Sequence, residues 1–159
     1  MKQVLAAALF AMLPGAVLAE TQLDRLESVS ERMMSATLDA MVRMVEKEGG
    51  NPDPLRAALP DMDWDAEYRE AGACMLERFV DASSKSAVDQ MLDDMEVFIP
   101  KMAEMDIDDM DQNANFLPDG VSEAYSMSVN EDCGTTALLL KRLEESGFMA
   151  AMMQSMAQN

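Results

Sequence analysis

Histidine is absent from this chain of 159 residues, which removes any catalytic triad of the Ser-His type. Cysteine is nearly absent: Cys74 and Cys133 are the only two, and they lack the Cys-x-x-Cys spacing of a redox pair. Positive charge is scarce, with 12 Lys and Arg against 30 Asp and Glu and a formal net charge of −18. Nucleic acid and anionic membrane surfaces would repel such a chain before contact, so neither is expected as a partner. Apart from the N-terminus there is no long hydrophobic run, and no stretch alternates in the manner of a half-buried strand. No internal repeat of fixed period is present.

The N-terminus reads as an export signal. Lys2 supplies the positive start, an apolar stretch runs from Val4 to Leu18 broken by Pro14-Gly15, and Val17-Leu18-Ala19 places small residues before Glu20. The stretch falls short of the roughly 20 apolar residues of a comfortable membrane span. Glu20 also stands where a bacterial lipoprotein would need its acceptor cysteine. Residues 1–19 are therefore expected to be a cleaved signal peptide, leaving residues 20–159 as a single soluble domain, periplasmic or secreted, with no stable membrane insertion. That length supports one hydrophobic core and is short for two. In an oxidising compartment Cys74 and Cys133 should form one disulfide. It closes a loop of about sixty residues, for which chain entropy predicts stabilisation on the order of 4 kcal/mol.

Apolar positions Leu23, Leu26, Met33, Ala40 and Met44 recur at helical spacing and predict a long helix from Thr21 to about Lys47. Thr21 is expected to cap it, Asp39 and Arg43 to pair across one turn, and Gly49-Gly50 to end it. A short piece over Leu55 to Leu59 follows the Asn51-Pro52-Asp53-Pro54 turn. A helix capped by Asp61 or Asp63 should then run to Val80, its inward face carrying Trp64, Tyr68, Ala71, Met75, Leu76 and Phe79. Another starts after Ser84 or Ser86, buries Val88, Met91, Leu92, Met95 and Phe98, and is kinked or stopped by Pro100. Residues 106–120 read as an acidic loop closed by Pro118-Asp119-Gly120. Helices near Ser122 to Ser128, over Thr135 to Glu145 and over Phe148 to Met156 complete the pattern. The fold class is all-α, a small helical bundle with a long N-terminal helix and one disulfide.

Methionine is the most unusual abundance, 18 residues of which only Met1 and Met12 fall in the leader. Met149, Met152, Met153 and Met156 stand at i, i+3, i+4 and i+7, so they share one side of the last helix. Such a stripe can be core, a pliable face for apolar partners, or a soft site for Cu(I). Exported copper sites of this kind commonly recruit histidine, which this chain lacks.

The stretch between Lys101 and Lys141 has no basic residue and nine acidic ones, from Glu104 to Asp132. It favours cations or a basic partner. Within it Asp109, Asp111, Asn113 and Asn115 occupy positions 1, 3, 5 and 7 of an EF-hand loop. Ala114 replaces the turn glycine, however, and Gly120 stands where a bidentate glutamate is needed, so weak calcium binding is the most this pattern implies.

Glu145-Ser146-Gly147-Phe148 resembles the start of the catalytic helix in lytic transglycosylases, where the glutamate is the general acid. Only 14 residues follow Glu145 and the downstream motifs are missing, so the tetrapeptide is read as coincidence and Gly147 as a helix separator. Tyr68, Arg69 and Arg78 read as ordinary helix residues. No catalytic motif remains, and no cofactor is called for. The sequence thus favours an exported interaction or chaperone-like protein that contacts another protein through a Met-rich helix face. A metal-handling protein, for Cu(I) through methionines or calcium through the acidic loop, is the alternative, and a cell-wall-acting enzyme is third.

Overall fold

The computed structural model describes the backbone of residues 14–106, 109 and 116–156, and the side chains of residues 22–106, 109 and 116–155. Among them all regular structure is α-helical. Helix α1 spans Pro14–Lys47, α2 Asp53–Ala57, α3 Ala66–Ala82, α4 Lys85–Met102, α5 Glu123–Asp132, α6 Thr135–Glu145 and α7 Phe148–Met156. The expected all-α class with a long first helix is observed.

Helix α1 begins earlier than Thr21. Proline at a first helical position costs no hydrogen bond and presets φ, and the following run of Ala, Leu and Glu favours helix, so the helix is continuous from Pro14. Thr21 is an interior residue of that helix rather than its cap. At 34 residues, α1 extends roughly 50 Å at 1.5 Å per residue, and α3 and α4 pack along it. Its first half contributes Leu26 and Val29 to a cluster with Leu76 and Phe79 of α3, Val88, Met91, Leu92 and Ile99 of α4, and Val129 of α5. Its second half contributes Leu38, Val42 and Val45 to another cluster, with Leu55 of α2 and with Phe148 and Ala151 of α7. Ala40 leaves α1 sideways toward Phe98 and Met102. One helix thus nucleates separate apolar centres at its two ends.

Two buried polar side chains tie the ends down. Gln22 donates to the carbonyl of Lys85 at 3.2 Å and to the Asp89 carboxylate at 2.9 Å, fixing the start of α4 on α1. Ser155 donates to the Ala151 carbonyl at 2.9 Å and to the Asn51 carbonyl at 3.3 Å, fixing the end of α7 on the turn after α1. Burial of a hydroxyl or amide is costly unless it is bonded in this way.

Several local expectations shift. The N-cap of α3 is Asp65, whose carboxylate accepts from the Tyr68 N–H at 2.8 Å, and not Asp61 or Asp63. The Asp61 and Asp63 carbonyls instead face Arg142. Ser84 caps α4 and Ser122 caps α5. Helix α4 continues two residues past Pro100, to Met102. Arg43 donates to the carbonyls of Met102 and Met105, each at 3.3 Å, rather than pairing with Asp39. A charged donor gains more by satisfying the free carbonyls at a helix C-terminus than from an exposed pair on its own helix.

Cys74 and Cys133 are joined, with Cα atoms 5.8 Å apart. The bond fastens α3 to the junction of α5 and α6. Those two helices need it: α5 buries only Val129, and α6 has no buried residue although it is clearly amphipathic. Among the described residues no helix is long and apolar enough to cross a membrane.

Candidate functional site

The C-terminal helix pair carries the most chemistry. Gly147 holds φ at +77°, the left-handed conformation that glycine adopts without a steric penalty, and this breaks the chain between α6 and α7. Helix α7 then turns Phe148, Ala151 and Ser155 inward, 2%, 9% and 2% exposed. Met152 is half-buried against the same cluster. Met149 and Met153 point the other way, 46% and 62% exposed, and sit one turn apart as i and i+4 neighbours. The four-methionine stripe is therefore divided. Met152 belongs to packing, Met149 and Met153 to the surface, and the side chain of Met156 lies outside the described residues. The core register is set by Phe148, because Ala151 and Ser155 are small enough to let α7 approach α2 and the Asn51 carbonyl.

Helix α6 adds Leu140, 55% exposed, and ends in the exposed pair Glu144 and Glu145. Helix α7 has no charged residue. An apolar, uncharged ridge of thioethers thus adjoins an acidic helix end.

Arg142 organises the other side of α6. Its guanidinium donates to the carbonyls of Asp61 at 3.2 Å and Asp63 at 2.7 Å and to the Asp65 carboxylate at 3.0 Å. It also stacks 4.5 Å from the centre of the Tyr68 ring. The Asp65 carboxyl is held below its ordinary value, chiefly by the Tyr68 N–H, with Arg142 adding to it against some loss of hydration. Burial pushes the Tyr68 phenol up, so it stays protonated in neutral solution. Trp64 donates its backbone N–H to Glu31 at 2.8 Å, and its ring lies on Gly72, where a Cβ would overlap it. These contacts strap residues 61–65 between α1, α3 and α6. Beside the strap is an open cleft of about 550 Å³, lined by Pro60, Asp61, Asp63, Trp64, Arg142 and Glu145 among others. Glu145 is exposed at its edge, in no arrangement of paired carboxylates about a closed site.

Three further arginines serve similar tasks. Arg25 reaches Asp93 at 2.6 Å and Glu96 at 3.1 Å across α1 and α4. Arg69 pairs with Asp24 at 2.7 Å and with Glu27, and Arg78 pairs with Asp132 at 2.6 Å. Each exposed pair is worth little alone, roughly 0–1 kcal/mol. Together they engage much of the scarce positive charge between elements, leaving a surface dominated by carboxylates.

Of the acidic loop, Asp111, Asn113 and Asn115 lie outside the described residues. Asp109 is exposed and its N–H donates to the Asp106 carbonyl. Among the described residues no group of three acidic or cysteine side chains is placed to hold a metal ion. The Arg142 strap and the Trp64–Gly72 contact had no local signature in the sequence, since both depend on partners far along the chain.

The chain matches no protein-family model, no curated protein and no solved structure.

Proposed function

We propose that this chain is an exported binding protein whose contact surface is the outer face of α7, extended by α6, and whose partner is an apolar, positively charged protein segment. The observation that carries the reading is the division of α7: Phe148 anchors one side in the core while Met149 and Met153 stand in solvent on the other. Exposed methionines in one place suit an adaptable interface, because the unbranched thioether can repack against varied apolar shapes. The charge of −18 adds long-range attraction for a cationic partner and speeds encounter at low salt. Residues 1–19 as a cleaved signal, residues 20–159 as the working domain and the Cys74–Cys133 bond are consistent with a periplasmic or secreted setting.

The test uses a synthetic helical peptide with leucines on one face and lysines on the other. Its affinity for the folded chain is measured by titration calorimetry, with Met149→Ser/Met153→Ser as the comparison. The proposal expects the double variant to bind at least about tenfold more weakly, the loss of roughly 1.4 kcal/mol of apolar contact. Equal affinity of the two proteins would remove α7 as the contact surface.

A further inference from the structure

Helix α6 stands off the body of the protein. It lies beside α3 with Leu138, Leu139 and Leu143 only partly buried and Leu140 in solvent. In the gap is a cavity of about 210 Å³, walled by Met34 of α1, by Trp64, by Tyr68 and Met75 of α3, and by Leu139 of α6. Ser30, Asn130, Thr135 and Thr136 form its polar edge. No charged residue lines it, in a chain of which 26% is charged. The two neighbouring hollows, by contrast, are lined with aspartate, glutamate and arginine. An uncharged lining with apolar walls disfavours ions and favours neutral molecules.

Tyr68 gives the cavity a directional group. The residue is only 8% exposed, and its hydroxyl has no hydrogen-bond partner among the described residues. A hydroxyl without a protein partner is free to donate to water or to a ligand that displaces it. It is not sealed in packing, since no fully enclosed side-chain polar atom lacks a partner among the described residues. The ring cannot easily swing away to find one. Arg142 stacks on it at 4.5 Å, and the Trp64 ring stands 5.3 Å off. The edge is likewise fixed: Thr135 donates to Asn130 Oδ1 at 2.7 Å, and the Asn130 amide donates to the Ser126 carbonyl at 2.9 Å. The space is open to solvent on one side, and at about 210 Å³ it exceeds the roughly 150 Å³ that holds benzene in a closed cavity, so a single ring with one small substituent fits in it.

We infer that the cavity between α1, α3 and α6 is a binding site for a small uncharged aromatic molecule carrying one hydrogen-bond acceptor. The ring of that molecule lies against Trp64 and Met75, and its acceptor receives the Tyr68 hydroxyl. The site is separate from the outer face of α7, so the two readings stand or fall independently.

Acetophenone, with a neutral ring and one carbonyl, and benzoate, of similar size but charged, are the probes. Each is titrated into the folded, disulfide-bonded chain by calorimetry, with thermal unfolding measured in parallel. Acetophenone should bind saturably and raise the unfolding temperature, while benzoate binds at least about tenfold more weakly, the ion being excluded by the uncharged lining. Tyr68→Phe removes only the donor and should weaken acetophenone about five- to tenfold, as expected for one hydrogen bond, at an unchanged melting temperature. Leu139→Trp fills the space and should abolish binding. Three results would overturn the inference: no saturable signal up to about 10 mM, a concentration at which even a weak pocket is occupied; equal binding of benzoate; or undiminished binding by Tyr68→Phe. Should Leu139→Trp fail to fold, the Tyr68→Phe comparison and the benzoate control still decide.

Discussion

Replacing Gly72 by alanine gives a sharp test of the packing around the single tryptophan. In the interior of a helix this change ordinarily stabilises, by roughly 1 kcal/mol, because alanine loses less backbone entropy. Here the added methyl would overlap the six-membered ring of Trp64, with Leu23 of α1 close behind at 3.4 Å. Leu23 packs on the main cluster and cannot yield easily, while the half-buried Trp64 ring can move toward the neighbouring hollows only by leaving Tyr68. Overpacking of this kind costs about 1–3 kcal/mol, and displacing the ring also forfeits the Trp64–Tyr68 contact, about 0.5–1.5 kcal/mol. After the helix gain is subtracted, the expected net destabilisation is about 1–3 kcal/mol, a fall in melting temperature of about 4–10 °C for a chain of this size. Trp64 is the only tryptophan, so its emission should shift to longer wavelength at the same time. In a Trp64→Ala background the same glycine substitution should change sign and stabilise by roughly 1 kcal/mol. A higher melting temperature for Gly72→Ala in the otherwise native chain, with unchanged emission, would refute the placement of Trp64 on α3.

Removing the disulfide by Cys74→Ser/Cys133→Ser should lower stability by about 4 kcal/mol on the chain-entropy relation for its separation of 59 residues, read from the denaturant midpoint. The Asp65→Asn chain should melt below the native one at neutral pH. Because the folded carboxyl binds its proton more weakly than the unfolded one, the difference is full above the ordinary carboxylate range and vanishes as pH falls through the folded value. Thermal melts from pH 7 downward check this, and a gap that persists in strong acid would count against the cap and the Arg142 bond. Under dilute peroxide, mass spectrometry should find Met127, Met149 and Met153 oxidised first, while Met91 and Met102, 4% and 2% exposed, resist until the chain unfolds.

Much of the helical framework was legible from spacing and punctuation. The ranges Thr135 to Glu145 and Phe148 to Met156 follow from Gly134 and Gly147, whose positive φ values mark the breaks. The inward faces of α3 and α4 follow from periodicity, and the disulfide from parity and compartment. What escaped was set by tertiary contacts. Three aspartates at alternate positions, Asp61, Asp63 and Asp65, can each cap a helix, and the choice falls to Asp65 because Trp64 docks on Gly72. Arg43 forgoes its neighbour Asp39 for carbonyls about sixty positions away, and no local rule anticipates that. The methionine stripe was found by period alone, which cannot say which side faces in, and the position of Phe148 answers that. The cavity beneath α6 had no signature at all, since its walls come from three separate stretches of the chain.

The bond between Cys74 and Cys133 also gives the molecule an unusual covalent topology. Residues 74–133 form a closed macrocycle that contains all of α4, all of α5 and the whole carboxylate-rich stretch between them. A protease that cuts anywhere inside that ring opens it without splitting the molecule, because the two pieces remain joined through sulfur. Cuts on either side of the ring release a fragment outright. A chain with its most acidic stretch inside such a ring can be nicked there and still migrate as one species until a reductant reaches it.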